Sequence, residues 1–198
     1  ILNISIKKVE SPITQKTIDL LLDGKGIRLD VYVNDDKDTV YNVEMQRTKR
    51  KDLPKRARYY QGNIDLDLIS AGRPYEDLRK TYVIFICTFD FFNQGRYVYT
   101  FENICKEDNK LILGDETIKM FLNTKGILDD VNSDIKEFLQ YIETTTAEFA
   151  ASANNRLIKD IQKKVEAVKD SKEMEVEYMT LLQRDRENRE LGREEGLK

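Results

Sequence analysis

Two short segments alternate apolar and polar residues with period two, a few polar positions apart, and this pair constrains the fold more than any other feature. In the first, Ile27, Leu29, Val31 and Val33 fall on one side and Arg28, Asp30 and Tyr32 on the other. In the second, Tyr41, Val43 and Met45 share one side, and Asn42, Glu44 and Gln46 the other. Between them Asn34-Asp35-Asp36-Lys37-Asp38 supplies the polar residues of a hairpin loop.

The surrounding sequence reads as more strands and one helix. Residues 16–22 have strand character, followed by turn chemistry at Asp23-Gly24 and Lys25-Gly26. Asp52-Leu53-Pro54 opens a helix, with Asp52 as cap and Pro54 in the first turn. Leu53, Ala57, Tyr60, Ile64 and Leu68 keep helical spacing to about Ser70, and Ala71-Gly72-Arg73-Pro74 ends it. Residues 81–89 are almost continuously apolar, β-branched or aromatic, as in a strand buried on both faces. Residues 96–104 and 109–113 read as two further strands.

From Ser133 the pattern becomes helical, first with Ile135, Phe138, Leu139 and Ile142. Leu157, Ile161, Val165 and Val168 make a second stripe, and Met174, Tyr178 and Leu181 a third. After Leu182 the stripe fades into a charged run, a solvated helix or a piece of coiled coil. The expected organisation is a core over residues 1–130 and a helical region over 131–198. The start at Ile1 and the stop within a charged stretch read as a fragment lacking both ends.

The chain contains no histidine, which excludes Ser–His and Cys–His nucleophiles and His-based zinc sites, so carboxylates must do any metal work. Its two cysteines, Cys87 and Cys105, form no CxxC pair, and Cys87 in its apolar run reads as a buried structural thiol. The absence of a disulfide framework points to a reducing, cytoplasmic compartment. No apolar run approaches the ~20 residues of a membrane span, and no signal peptide is visible.

The formal net charge is −3, so any nucleic-acid binding rests on a local patch. Residues 47–58 provide one, with Arg47, Lys49, Arg50, Lys51, Lys55, Arg56 and Arg58 against the single acid Asp52. Most such runs are solvated loops and helix faces. This one follows the second alternating strand directly and opens a helix, a location that suits phosphate contacts. Arg56 and Arg58 are the best placed; Tyr60 fits the apolar stripe, and Tyr59 can reach either way.

Folding the hairpin about Asp36-Lys37 brings Asp30 opposite residues 43–44, and strand geometry sets Glu44 and Gln46 about 7 Å apart on one face. Two neighbouring carboxylates repel by roughly 0.2–1 kcal/mol, a penalty that a divalent cation turns into a binding site. Oxygen ligands in this number suit Mg²⁺ or Mn²⁺, which can polarise a phosphodiester and activate water. On an arbitrary hairpin such carboxylates are usually solvated residues of the wet face. The basic run behind them shifts the balance here.

The run Gly26-Ile-Arg-Leu-Asp30-Val, a short loop and Tyr41-Asn-Val-Glu44-Met-Gln46 resembles the PD-(D/E)XK nuclease superfamily. More narrowly it resembles the PD-(D/E)XK nuclease family transposases, the Rpn-like recombination-promoting nucleases. The similarity continues through Arg58-Tyr59-Tyr60, Ala71-Gly72-Arg73-Pro74-Tyr75, Val83-Ile84-Phe85-Ile86 and a tail opening at Gly192, covering residues 25–198. It implies an α/β (α+β) fold, a restriction-endonuclease-like mixed sheet flanked by helices, with a helical C-terminal extension.

The resemblance also implies roles. Asp30 would be the motif aspartate, Glu44 the acidic residue of the (D/E)XK element, and the Met45 carbonyl a further metal ligand. Gln46 stands where lysine is usual; it can donate and accept hydrogen bonds but carries no charge, which suits positioning water. The substitution can equally mean slower chemistry or a displaced lysine such as Lys25 or Lys49, although Lys49 fits the basic run better. An upstream helix often adds an acid; Glu10 is the sole one in residues 1–13, so that helix reads as truncated. The implied activity is Mg²⁺-dependent DNA endonuclease hydrolysis, tied to recombination, transposition or mobile-element defence, without a small-molecule cofactor. The helical tail would pack on the core or pair in a homodimer, which helps cut two strands. The missing lysine and acid support an alternative, a catalytically degenerate nuclease fold that binds DNA or mediates assembly. A third reading, a purely structural interaction protein, predicts no DNA affinity at low salt.

Overall fold

The alternating segments pair as the hairpin pattern requires. β2 (Ile27–Asn34) runs antiparallel to β3 (Val40–Gln46), with Val31 opposite Val43 and Asn34 opposite Val40. In the computed structural model the described residues are 13–18 and 27–169, with side chains for Lys16, residues 31–167 and Lys169. The hairpin loop is tied by Asp35, whose carboxylate accepts the backbone N–H groups of Lys37 (2.8 Å) and Thr39 (2.9 Å) and the Tyr41 hydroxyl (2.8 Å). Burial pushes the Asp35 pKa up, but these hydrogen bonds outweigh it and leave the group below its ordinary value.

The hairpin is one side of a six-stranded mixed sheet in the order β1-β2-β3-β4-β6-β5, with β1 (Ile13–Ile18), β4 (Thr81–Cys87), β5 (Val98–Phe101) and β6 (Thr117–Asn123). β3, β4 and β6 are mutually parallel, and the outer pairings are antiparallel. Parallel neighbours need a crossover, and α1 (Leu53–Leu68) makes it between β3 and β4. β4 therefore lies between two parallel strands, and all of its residues but Ile86 are buried. This is the α+β architecture that the resemblance implies.

Helices flank both faces. On one, Leu53, Ala57, Tyr60 and Ile64 of α1 pack against Tyr32, Val40, Val83, Phe85, Cys87, Tyr99 and Phe121. On the other, Leu139 of α2 (Ser133–Glu143) joins Tyr41, Tyr82, Ile84, Ile118, Met120 and Leu122. Gly62 lies on the exposed side of α1, and a Cβ there would meet nothing within 4 Å. Glycine inside a helix costs about 0.5–1 kcal/mol relative to alanine. Gly62→Ala is therefore expected to stabilise the fold by that amount, read from the midpoint of urea unfolding.

Several elements depart from the sequence reading. The first strand begins at Ile13 instead of residue 16, because it takes its register from β2, with Ile13 opposite Tyr32. Asp52 occupies the N-cap position of α1 but makes no side-chain cap hydrogen bond. Residues 109–113 form no strand: an exposed arm closes on the single bridge Ile104–Ile112, and Leu111, Ile112 and Leu113 have no layer to pack into. The strand missed by that reading is β6, which enters between β4 and β5 after positive-φ turns at Gly114 and Glu116. The segment expected over 96–104 shortens to Val98–Phe101, where β6 gives it a partner.

The chain divides into two compact units, Ile1–Glu143 and Thr144–Lys198. In the second, α3 (Ala147–Ser152) is capped by Thr146, whose hydroxyl accepts the Phe149 N–H at 3.2 Å, and α4 (Arg156–Lys169) follows. The stripe expected over Met174, Tyr178 and Leu181, together with Glu10, Lys25 and Gly192, lies outside the described residues. Among the described residues no helix is long and apolar enough to cross a membrane.

Candidate active site

β3 inverts the usual burial as it nears its C-terminal end. Glu44 is 1% exposed and Gln46 8%, whereas Met45 between them is 43% exposed. The cause is strand parity. Val40, Asn42, Glu44 and Gln46 share one face, and the crossover helix α1 lies on that face beside the Val40–Tyr32 core.

A carboxylate this buried needs a partner, because an unpaired buried charge costs several kcal/mol. Arg56, one turn into α1, supplies it. Its Nη2 donates to Glu44 Oε2 at 3.3 Å, its Nη1 to Gln46 Oε1 at 3.3 Å, and its Nε to the Tyr60 hydroxyl at 2.7 Å. The guanidinium carbon also lies 5.1 Å from the centre of the Tyr60 ring. The Arg56 side chain remains 29% exposed, so the pair runs from the protein interior to solvent.

The neighbouring strands complete the setting. Glu44 is in register with Phe85 of β4, and Phe85 with Phe121 of β6, so an aromatic row flanks the carboxylate. The β2–β3 pairing runs from Asn34–Val40 to Val31–Val43, the pair adjacent in sequence to Asp30 and Glu44. The Asp30 side chain lies outside the described ones.

Asn42, two residues before Glu44, is fully buried, and both its Oδ1 and its Nδ2 lack a hydrogen-bond partner. On α1 the Gln61 amide nitrogen donates to Asp65 at 2.9 Å while its Oε1 has no partner. A buried polar atom left unmet costs about 1–3 kcal/mol, so each of these calls for a partner such as a water or an ion. Among the described residues no three Asp, Glu, Cys or His side chains come together. The described side chains here that could face a cation are the Glu44 carboxylate, which Arg56 now holds, and the amide oxygens of Asn42 and Gln46. Oxygen ligands of this kind are the type that hard divalent cations take.

The basic run separates by position. Arg47, Lys49, Arg50, Lys51, Lys55 and Arg58 are exposed, and Arg56 alone of the seven turns inward. The Lys49 ammonium donates to the Asp90 carbonyl (3.0 Å) and to Asn93 Oδ1 (2.9 Å), which ties it to the loop after β4. Tyr60 is 6% exposed and Tyr59 41%. Burial pushes the Cys87 thiol up to about 12, so it stays protonated and unreactive. A cleft of about 580 Å³ opens instead at the start of β3 and β4, away from Gln46. There Lys37, Arg73, Arg79 and Lys80 are balanced by Asp38, Glu76, Asp77 and Glu116, which leaves no field for a polyanion.

Sequence reasoning did not single out Asn42 or Gln61, nor the inward turn of Arg56. One signal was available for the last. Arg56 and Tyr60 are spaced i,i+4, and Tyr60 belongs to the apolar stripe, so Arg56 borders the buried face.

No curated protein and no solved structure matches this sequence. Residues 3–191 match the family described as PD-(D/E)XK nuclease family transposase. That match takes in the hairpin, the crossover helix and all six strands, and on it the chain belongs to the PD-(D/E)XK nuclease family transposases.

Proposed function

We propose that this nuclease-family chain is a metal-dependent DNA endonuclease, with Asp30, Glu44 and Gln46 as its centre and Mg²⁺ or Mn²⁺ as its cofactor. The observation that carries this reading is Glu44, buried to 1% exposure on the strand that leads into a basic helix start. The bound cation would supply Lewis-acid activation of a phosphodiester and of water. Asp30 and Glu44 would hold it, with the Met45 carbonyl as a third oxygen. Gln46 orients the attacking water, since its amide both accepts and donates. Arg47, Arg50, Lys51, Lys55 and Arg58 contact phosphates along the exposed side of α1 and the loop before it, giving salt-dependent affinity. DNA recombination, transposition or defence against mobile elements is the setting such cutting would serve.

The test is nicking of supercoiled plasmid by the full chain. Cleavage is expected with Mg²⁺ or Mn²⁺ and none with EDTA. Plasmid left intact with either ion overturns the endonuclease reading. DNA bound at low salt but not cut, with no calorimetric binding of Mn²⁺, would instead establish a DNA-binding or assembly module on a nuclease fold.

A further inference from the structure

Arg56 combines features that no other residue of the basic run has. It is the cation of a buried carboxylate, it reaches solvent, and it is held by side chains of two elements. Its bonds are unequal. Charge-assisted contacts to carboxylates usually measure about 2.7–2.9 Å, yet the fork of Arg56 stands 3.3 Å from both Glu44 and Gln46. Its Nε–Tyr60 bond, at 2.7 Å, is short. The side chain is thus anchored at its stem by Tyr60 and held loosely at its charged end.

We propose that Arg56 is a positioning residue that acts as a charge-exchange switch: its guanidinium holds the place of a divalent cation at Glu44 until a DNA phosphate draws it away. The inference rests on the reading of Glu44 as a metal ligand. Two positive charges within a few ångströms of one carboxylate oxygen oppose each other strongly in a protein interior. Arg56 at Glu44 therefore weakens cation binding in the absence of DNA. Lys55 and Arg58 are exposed beside it on the same helix, so a phosphate drawn to them arrives within reach of the guanidinium. Arginine suits the exchange because its planar fork donates to carboxylate and phosphate alike. Once the guanidinium moves to phosphate, its charge no longer opposes a cation at Glu44. Gln46, being neutral, does not oppose it. Such coupling is reciprocal: DNA tightens cation binding, and the cation tightens DNA binding by the same factor.

The experiment titrates Mn²⁺ into the full chain by calorimetry, without DNA. Arg56→Gln is expected to bind Mn²⁺ about tenfold more tightly than the parent, within the usual range of coupling between sites. Tyr60→Phe, which keeps the ring and the Arg56 charge but removes the anchor, is expected to tighten binding by a smaller factor. A short duplex with hydrolysis-resistant phosphorothioate linkages should bind the parent more tightly in Mn²⁺ than in EDTA, and Arg56→Gln should lose most of that gain. Unchanged or weaker Mn²⁺ binding by Arg56→Gln overturns the switch; if that variant does not fold, the Tyr60→Phe titration decides. Glu44→Gln separates the two claims. If it binds Mn²⁺ like the parent, the metal is elsewhere and the proposed centre itself fails. If it loses Mn²⁺ while Arg56→Gln gains nothing, only the switch fails.

Discussion

Glu44→Gln is expected to reduce DNA cleavage by at least about 10²–10³-fold, the loss typical of removing one group that stabilises a transition state, while the protein stays folded. The geometry separates these outcomes. Glutamine matches glutamate in shape, so the space under α1 is filled, and its amide oxygen can still accept from Arg56 Nη2, now 3.3 Å from Glu44 Oε2. Removing one member of a buried ion pair can cost about 3–5 kcal/mol. Here the cost should be well below that, because Arg56 is 29% exposed and keeps its bond to the Tyr60 hydroxyl. What glutamine cannot replace is the charge that would bind a cation. The measurement is initial plasmid nicking rate in Mn²⁺, with circular dichroism melting alongside. A variant that cuts at the parental rate would remove Glu44 from the chemistry. One that melts far below the parent would make it a structural ion pair first.

Phe85→Ala is expected to destabilise the fold by about 3–5 kcal/mol, as truncating a buried aromatic does. Phe85 is 0% exposed at the centre of β4, with its ring 5.4 Å from that of Phe121 and 6.3 Å from that of Tyr60. It therefore joins the central strand, β6 and the crossover helix in one contact set, and truncation leaves a void that three elements cannot all move to close. For a domain stable by about 5–15 kcal/mol, that loss removes a large share of the total. Phe85→Leu should cost less, since much of the volume remains. Urea unfolding of the two variants checks the order; a Phe85→Ala midpoint close to that of the parent would mean that this layer does not hold the sheet together.

Local patterning made much of this architecture legible. The two alternating segments and the polar loop between them specify β2, β3 and their register, because a slip of one residue would turn every side chain to the wrong face. The Leu53, Ala57, Tyr60 and Ile64 spacing marks α1, and the apolar run from Thr81 marks a strand covered on both sides. Less local features were not legible. The apolar residues Leu111, Ile112 and Leu113 look like a strand, yet a strand needs a neighbour, and the arm that carries them finds only one bridge. β6 is a modest segment by composition that becomes an interior strand because β4 and β5 accept it on either side.

The same division runs through the candidate centre. The sequence by itself determined that Asn42, Glu44 and Gln46 share a face and that a basic helix start follows, because period-two and 3.6-residue geometry are properties of the local chain. Only the tertiary structure decided that this polar face is buried. That outcome depends on the path of α1, which crosses from β3 to β4 and lies over the residues that a free hairpin would leave in water. Laying the helix there closes Glu44 to 1% exposure and brings Arg56 to its carboxylate, while Met45 is left outside. Burial and charge pairing belong to contacts between distant elements, and no spacing within one strand can express them.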